Sequence, residues 1–178
     1  VVIDNTNQTE SPFSTPTSTP PTSSPTPTPN IFQGFQTDEF YITFYGWTDN
    51  DPPGNSIAYP KRRYPFSEHE NAGGDGTYNN PITFASDPDH ITIGKIYYVP
   101  LLSKYIVMED YCESCVESWD SQVSHIDIWM ESNSDFPEEL MRCQRKWTHK
   151  DLVVITNPSS NFPVDTKPLF NKQRGQCG

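Results

Sequence analysis

Short hydrophobic or alternating runs, separated by clusters of turn-forming residues, characterise the chain after Asn30. This pattern is typical of an all-β barrel or sandwich. Residues 101–104 separate two such runs, residues 95–100 and 105–108, and this spacing predicts a β-hairpin. The predicted strands lie near residues 40–47, 82–85, 95–99, 105–109, 125–130 and 152–156.

Residues 136–142 are the one segment with the signals of a helix. Asp135 can cap its first turn, where Pro137 and two glutamates are also favourable. The long polar stretches 48–55 and 61–80 predict loops. In a small barrel such loops lie at the rim and shape a binding groove.

The front of the chain has a different composition, because residues 11–29 are all Pro, Ser or Thr apart from Phe13. Such a segment cannot bury apolar area, and its prolines favour polyproline II. The composition indicates an O-glycosylated stalk, with an unmodified flexible linker as the alternative. We therefore divide the chain into a stalk, residues 1–30, and a β domain, residues 31–178. The predicted glycosylation sites are Asn7, in the sequon Asn7-Gln8-Thr9, and Thr15, Thr17, Thr19, Thr22, Thr26 and Thr28.

Length and charge exclude some classes of protein. The 178 residues fit one core rather than two, and no run approaches the ~20 apolar residues of a membrane span. The net charge of −11 argues against nucleic acid as a partner, since phosphate binding needs a basic patch. The acidic surface either keeps the protein soluble or lines a cleft for neutral sugars or metal ions.

The four cysteines, Cys112, Cys115, Cys143 and Cys177, are an even number in a chain whose stalk indicates export. We predict two disulfides, and the spacing leaves all three pairings open. The competing interpretation is a zinc site, because Cys112 and Cys115 have ligand spacing and His125 and Cys143 follow. We expect no metal and no cofactor. We also expect Val1 to follow a cleaved signal peptide and the protein to be secreted.

Three predicted strands carry acidic residues at positions suited to chemistry. Asp49 follows a strand that ends in aromatic residues, and Asp110 ends a hydrophobic strand. In residues 125–129, alternation places His125, Asp127 and Trp129 on one face and two isoleucines on the other. If the isoleucines point inward, the acid and the indole face a groove.

Two sets of short motifs resemble the double-psi β-barrel superfamily. Residues 85–88, 91–94, 109–110 and 126–127 resemble the bacterial three-aspartate domain found with lytic transglycosylases, whose aspartates match Asp87, Asp110 and Asp127. Thr43-Phe44-Tyr45-Gly46 and His125-Ile126-Asp127 resemble the TFYG and HFD motifs of expansins and family-45 endoglucanases. The resemblance, over about residues 40–152, implies a mostly β fold: a single six-stranded double-psi β-barrel with one short helix, behind an extended stalk.

The resemblance also implies an activity on cell-wall polysaccharide. Expansins loosen the wall without hydrolysis, family-45 enzymes invert, and transglycosylases cleave peptidoglycan with one acid. The HFD aspartate is the general acid of the endoglucanases, which points to Asp127. The chain departs from the three-aspartate pattern at residues 111–115, which replace the glycines after its second aspartate.

Physical chemistry assigns roles to these residues. Inverting hydrolysis needs a protonated acid and a carboxylate base about 6.5–9.5 Å apart. Asp127 can be the acid, its pKa raised by the like charge of Asp110, and Asp49 or Asp51 can be the base. The candidate sugar-binding residues are Tyr45, Trp47, Tyr111, His125 and Trp129, since aromatic rings stack on the apolar faces of sugars.

Each of these residues also has a structural interpretation. Asp87, Asp110 and Asp127 can cap turns or accept main-chain hydrogen bonds, and the structural role is favoured for Asp87. Trp47 and Trp129 can belong to the core, and a buried histidine usually needs only hydrogen-bond partners.

Two functions therefore remain open. One is a secreted carbohydrate-binding or polysaccharide-active barrel, which as an enzyme would be a glycoside hydrolase or lytic transglycosylase. The other is a non-catalytic subunit of an extracellular glycoprotein assembly or fibril. There the glycosylated stalk threads between subunits, and residues 1–3 add a strand to a neighbour.

Overall fold

Six strands close into one barrel, which is one of the two architectures that the short alternating runs predicted. The computed structural model describes residues 1–2 and 34–178 of the chain. The strands of the barrel are β1 (Thr37–Tyr45), β2 (Ile82–Ser86), β3 (Ile96–Val99), β4 (Lys104–Tyr111), β5 (His125–Trp129) and β6 (His149–Ile155). Each lies within a few residues of its predicted position.

The order around the barrel is β1-β5-β2-β4-β3-β6. The β1–β5 and β2–β4 pairs are parallel, and the other four are antiparallel. The predicted hairpin is confirmed, since β3 pairs antiparallel with β4. Closure satisfies the strand edges. It also places β5, late in the sequence, between β1 and β2.

The interior of the barrel is filled by aliphatic and aromatic side chains. Ile126 and Ile128 of β5 are fully buried, as predicted for the inward face of that strand. Phe84 of β2 and Ile106 of β4 are buried as well. Each such side chain contributes roughly 2 kcal/mol through burial of apolar surface. The residues of β5 on the other face therefore point away from this interior.

The prediction of one short helix is wrong, since the described residues contain two. The additional helix is α1 (Glu113–Asp120), whose first turn is capped by the Cys112 sulfur accepting from Cys115 N. Cys115 is its one buried residue, so α1 lacks the apolar periodicity that would have revealed it.

The second helix, α2 (Pro137–Trp147), begins at the predicted proline but continues beyond residue 142. The cap proposed for Asp135 is not present. Phe136 is the N-cap instead, in a left-handed conformation with φ 57° and without a side-chain cap bond. Leu140 and Cys143 are buried on the inner side of the helix.

Both predicted disulfides are present, and they join Cys112 to Cys115 and Cys143 to Cys177. Because all four sulfurs are bonded in pairs, the zinc interpretation does not hold. The second bridge ties α2 to the C-terminal hairpin of β7 (Phe170–Asn171) and β8 (Gln176–Cys177).

Several predictions concern residues that the structure does not describe. The glycosylated stalk, its sites at Asn7 and the six threonines, and the added strand of residues 1–3 lie wholly or almost wholly outside the described residues. Within residues 34–178, neither helix is long and apolar enough to cross a membrane.

Candidate functional site

A cleft of about 540 Å³ lies beside β1, β2, β4 and β5 and is bounded by the loop that follows β1. Its lining includes the three acids predicted for catalysis, Asp49, Asp110 and Asp127, although they are far apart in the sequence. Asp51 and Tyr111 lie at the same cleft. The barrel thus brings the predicted carboxylates to one place.

Asp127 lies in the middle of β5, opposite Thr43 on the parallel strand β1. It is partly exposed, and the Thr43 hydroxyl lies 2.8 Å from its Oδ1. Burial of the carboxyl and the like charges of Asp49 and Asp110 raise the pKa of Asp127 to about 7, although the Thr43 hydrogen bond opposes them. Near neutral pH this group therefore carries a proton for about half of the time.

Asp110 is held much more completely. It is 5% exposed, and its oxygens accept hydrogen bonds from the Tyr45 hydroxyl at 2.7 Å, Ala58 N at 2.8 Å and Tyr111 N at 2.9 Å. Burial raises its pKa, and these three donors oppose that change. Asp110 therefore anchors the loop between β1 and β2 at Ala58, while its charge acts on Asp127.

Asp49 occupies the outer margin of the cleft. Its Oδ1 accepts from Gly46 N at 2.8 Å, and its Oδ2 accepts from Gln144 Nε2 at 2.9 Å. The residue is exposed, and partial desolvation of its carboxyl raises the pKa. Gln144 belongs to α2, so the helix fixes the position of this acid.

The predicted aromatic residues are distributed around the cleft rather than along one wall. Tyr111 lines it and is 50% exposed, so its ring is accessible to a ligand. Tyr45 lines it from within, and its ring packs edge-to-face on Trp129, with the centroids 5.2 Å apart. Trp129 is buried behind it and lines a separate cavity of about 170 Å³ with Lys104. Trp47 is half-buried against the core.

His125 lies on the other side of Thr43 from Asp127. It lines an outer groove of about 700 Å³ and stacks on Tyr41, with the ring centroids 4.5 Å apart. Positions 125, 127 and 129 share a face of β5, as predicted, but successive ones are about 6.6 Å apart along a strand. The three side chains therefore reach three different cavities.

The residue before Asp110 is part of a separate buried cluster. The Glu109 carboxylate accepts from the Thr83 hydroxyl at 2.6 Å and from the backbone N–H groups of Glu68 and His69. The His69 ring contacts the same carboxylate through Nδ1 and contacts Asn80 through Nε2. This cluster fastens residues 68–80, part of the loop between β1 and β2, to the barrel.

Asp87 adopts the structural role that was favoured for it. Its carboxylate accepts from Asp89 N at 2.9 Å and lies 2.8 Å from His90 Nδ1. It therefore caps the turn after β2. Among the described residues, no group of three or more His, Cys, Asp or Glu side chains is arranged to hold a metal ion.

Sequence reasoning missed two residues that hold acids of the cleft through side-chain hydrogen bonds. Thr43 was noted only as part of a motif, although its place across from Asp127 lets its hydroxyl hydrogen-bond to that acid. Gln144 lies 95 positions after Asp49 in a helix, and no local pattern links them.

Comparison with known proteins places the chain in a family. Residues 37–178 match the family described as the DDB_G0273701 N-terminal domain. The chain belongs to this family. A relative from Dictyostelium discoideum, the uncharacterised protein DDB_G0273701/DDB_G0273221, is 39% identical over 137 residues. That alignment covers 76% of this chain and 58% of the relative, so the chain spans little more than half of the relative's length. No solved structure matches.

The DDB_G0273701 N-terminal domain match contains the whole candidate site. Asp49, Asp110, Asp127 and both disulfides all lie within residues 37–178. The cleft therefore belongs to the domain that defines this family.

Proposed function

We propose that this protein is a secreted, polysaccharide-active barrel whose cleft binds a glycan strand and whose Asp127 acts as general acid. The observation that carries the proposal is the state of Asp127. It lines an open cleft, its carboxyl lies 2.8 Å from the Thr43 hydroxyl, and its pKa is raised to about 7.

A glycosidic bond breaks when a neutral carboxylic acid protonates the leaving oxygen. An ordinary aspartate, with a pKa near 3.9, is ionised at neutral pH and cannot do this. Burial in the wall of the cleft keeps a large fraction of Asp127 protonated near neutral pH, whereas Asp110 has three donors that favour its charged form. Two carboxyl groups whose environments differ in this way are typical of an acid and its electrostatic partner.

Asp49 is the candidate base for a hydrolytic reaction. It lies at the exposed margin, where water has access, and Gln144 and Gly46 hold its two oxygens. Asp51 lines the same margin and is the second candidate. Tyr111 supplies the exposed ring on which a sugar can stack.

The proposal keeps the resemblance to expansins, family-45 endoglucanases and the double-psi β-barrel. It is supported by the closed six-stranded barrel and by the position of the two motifs. Residues 41–45 of β1 pair in parallel with residues 125–129 of β5, so the segment Thr43–Gly46 lies beside His125 and Asp127.

Secretion and glycosylation are part of the same proposal. Two disulfides form and persist in an oxidising environment such as the cell exterior. The Pro/Ser/Thr composition of residues 11–29 suits an O-glycosylated stalk that holds the barrel away from a surface. Intact mass tests this directly, because a glycosylated chain exceeds the 20.3 kDa of the bare sequence by many hexose units.

The test of the activity is incubation of the purified chain with cellulose, chitin, β-glucan and peptidoglycan. Release of soluble sugar by the wild type, lost in Asp127→Asn and kept in Asp120→Asn, supports the proposal. Asp120 is a matched control because it is an exposed aspartate at the end of α1.

Binding to a polymer without release would keep the glycan site and overturn the general-acid role. If the chain neither binds nor cleaves any of these polymers, the proposal is overturned. That result would favour the non-catalytic subunit of an extracellular assembly.

A further inference from the structure

An unbroken series of four hydrogen bonds runs from Asp127 through the barrel wall. Thr43 Oγ1 lies 2.8 Å from Asp127 Oδ1 and 2.9 Å from His125 Nε2. On the other side of the ring, His125 Nδ1 lies 2.9 Å from Ser118 Oγ, and that hydroxyl lies 2.8 Å from the Ser114 carbonyl oxygen. The series therefore connects the acidic cleft with the outer groove.

The number of protons in this series is restricted by its geometry. Four hydrogen bonds need four hydrogens, and each hydroxyl supplies one. A neutral imidazole supplies one more, which makes three. The Ser114 carbonyl supplies none, so the fourth hydrogen must be an additional proton on Asp127 or on His125.

We propose that Asp127 and His125 share one proton through Thr43, and that His125 is the positioning residue that keeps Asp127 in its protonated form. In this arrangement Asp127 donates to Thr43, and Thr43 donates to Nε2 of His125. The ring then donates from Nδ1 to Ser118, and Ser118 donates to the Ser114 carbonyl. Every group in the series has its partner.

The surroundings place the additional proton on Asp127 rather than on the ring. His125 is 3% exposed, and its burial lowers its pKa, whereas the pKa of Asp127 is raised. The titratable neighbours of Asp127 are Asp49, Asp110 and the Tyr45 phenol, and the two carboxylates disfavour a further negative charge on Asp127. The groups at the His125 side of the wall are Tyr41, Glu117, Lys150 and Asp151.

Ionisation of Asp127 changes the whole series. The carboxylate can only accept, so Thr43 turns its hydroxyl toward Oδ1, and Nε2 must then carry a hydrogen to serve Thr43. One proton leaves Asp127 for solvent, and the hydrogen of the ring is exchanged from Nδ1 to Nε2. The single hydroxyl hydrogen of Ser118 then cannot serve both Nδ1 and the Ser114 carbonyl, so one of the four bonds is lost.

The protonated state therefore has one more hydrogen bond than the ionised state, and this additional bond raises the proton affinity of Asp127, whereas the bond that Thr43 donates to the ionised carboxylate lowers it. A hydrogen bond of ordinary net strength corresponds to roughly half a unit to one unit of pKa. The consequence for glycan cleavage rests on the proposed function, since only an enzyme needs Asp127 as a neutral acid. The sharing of the proton does not depend on it.

The test is an NMR titration of the full chain from about pH 5 to pH 9, following the Asp127 carboxyl carbon and the two ring nitrogens of His125. We expect His125 to change from the Nδ1–H to the Nε2–H form with the same midpoint as Asp127. A ring that keeps one tautomer through the Asp127 transition would overturn the proposal. An imidazolium at neutral pH would overturn the assignment of the proton to Asp127.

Variants isolate the role of each link. His125→Phe should lower the Asp127 midpoint by roughly half a unit to one unit, because the additional bond of the protonated form is lost. Thr43→Val should uncouple the ring from the acid, and Thr43→Ser, which keeps the hydroxyl, should restore the coupling. Ser121→Ala changes another exposed serine of the outer groove and should leave both midpoints unchanged.

A purely structural role for His125 predicts no change in the Asp127 midpoint when the variant is folded. If His125→Phe does not fold, the comparison of Thr43→Val with Thr43→Ser decides the question. If the wild type releases no sugar from any polymer but the tautomer change is observed, the proposed function fails and the shared proton stands.

Discussion

Thr43 and Asp127 lie opposite each other on the parallel strands β1 and β5, and the Thr43 hydroxyl is 2.8 Å from Asp127 Oδ1. They are 84 positions apart in the sequence. Parallel pairing brings them together because β5 returns to lie between β1 and β2. The acid of the cleft is therefore positioned by the barrel itself rather than by a rim loop.

Removing the charge of Asp127 should stabilise the fold at neutral and higher pH. The folded protein holds this proton up to about pH 7, whereas the unfolded chain loses it near pH 4. The free energy of unfolding therefore falls as pH rises from about 4 to about 7. We expect Asp127→Asn to raise it by about 1–4 kcal/mol at pH 8 and to change it little at pH 4, as measured by urea unfolding. Equal effects at both pH values would contradict the raised pKa.

Tyr45→Phe tests the anchoring of Asp110. The variant removes the 2.7 Å hydrogen bond to Oδ2 while keeping the ring against Trp129. A hydrogen bond to a charged group contributes about 1.5–3 kcal/mol. The free energy of unfolding, measured in urea at pH 7, should therefore fall by about that amount. The Asp110 pKa should rise, because one of the donors that lower it is lost.

Tyr97→Phe is the matched control, because Tyr97 is 8% exposed and its hydroxyl has no hydrogen-bond partner in the part of the chain that the structure describes. A loss of stability in Tyr97→Phe as large as that in Tyr45→Phe would show that the hydrogen bond to Asp110 is not the cause.

The His69–Glu109 contact should make stability depend on pH. Burial lowers the pKa of His69, but the hydrogen bonds of Glu109 and Asn80 raise it on balance. A raised folded pKa gives stabilisation that is complete below the unfolded value of about 6.5 and is lost as pH rises through the folded value. His69→Gln should remove this contribution, measured as the difference in unfolding free energy between pH 6 and pH 9. His149→Gln, at an exposed histidine of β6, should keep it.

The two disulfides should differ in their effect on stability. The Cys143–Cys177 bridge closes a loop of sequence separation 34, and the Cys112–Cys115 bridge one of separation 3. Loop-closure entropy predicts a loss of about 4 kcal/mol without the longer bridge and about 2 kcal/mol without the shorter one. Thermal unfolding of the two double Cys→Ser variants measures the difference. A larger loss for the shorter bridge would show that its native-state role, at the cap of α1, exceeds its effect on the unfolded chain.

The fold could be predicted where local patterns carry the information. All six barrel strands have a period of two or a short apolar run, and the predicted bounds of each lie within a few residues of the observed ones. The helix α1 was missed because its start depends on the Cys112 cap and its Cys115 contact rather than on an apolar face. The left-handed cap at Phe136 also has no signature in the sequence, since Asp135 is the better capping residue by type.

The candidate site could be predicted only in part. The acids Asp49, Asp110 and Asp127 were found because carboxylates next to hydrophobic strands are unusual, and the structure brings them to one cleft. The separation of His125 and Trp129 from that cleft depends on which elements pack beside each position of β5, which alternation does not encode. The bond from Gln144 to Asp49 depends on how α2 packs against the barrel.

The direct measurement of the central claim is the titration of the Asp127 carboxyl carbon by NMR in the free protein, with Asp127→Asn used to assign the signal. The account predicts a midpoint of about 7, because the protein buries this acid in the wall of an open cleft beside two other carboxylates. A midpoint near 4, the value of an ordinary aspartate, would contradict it.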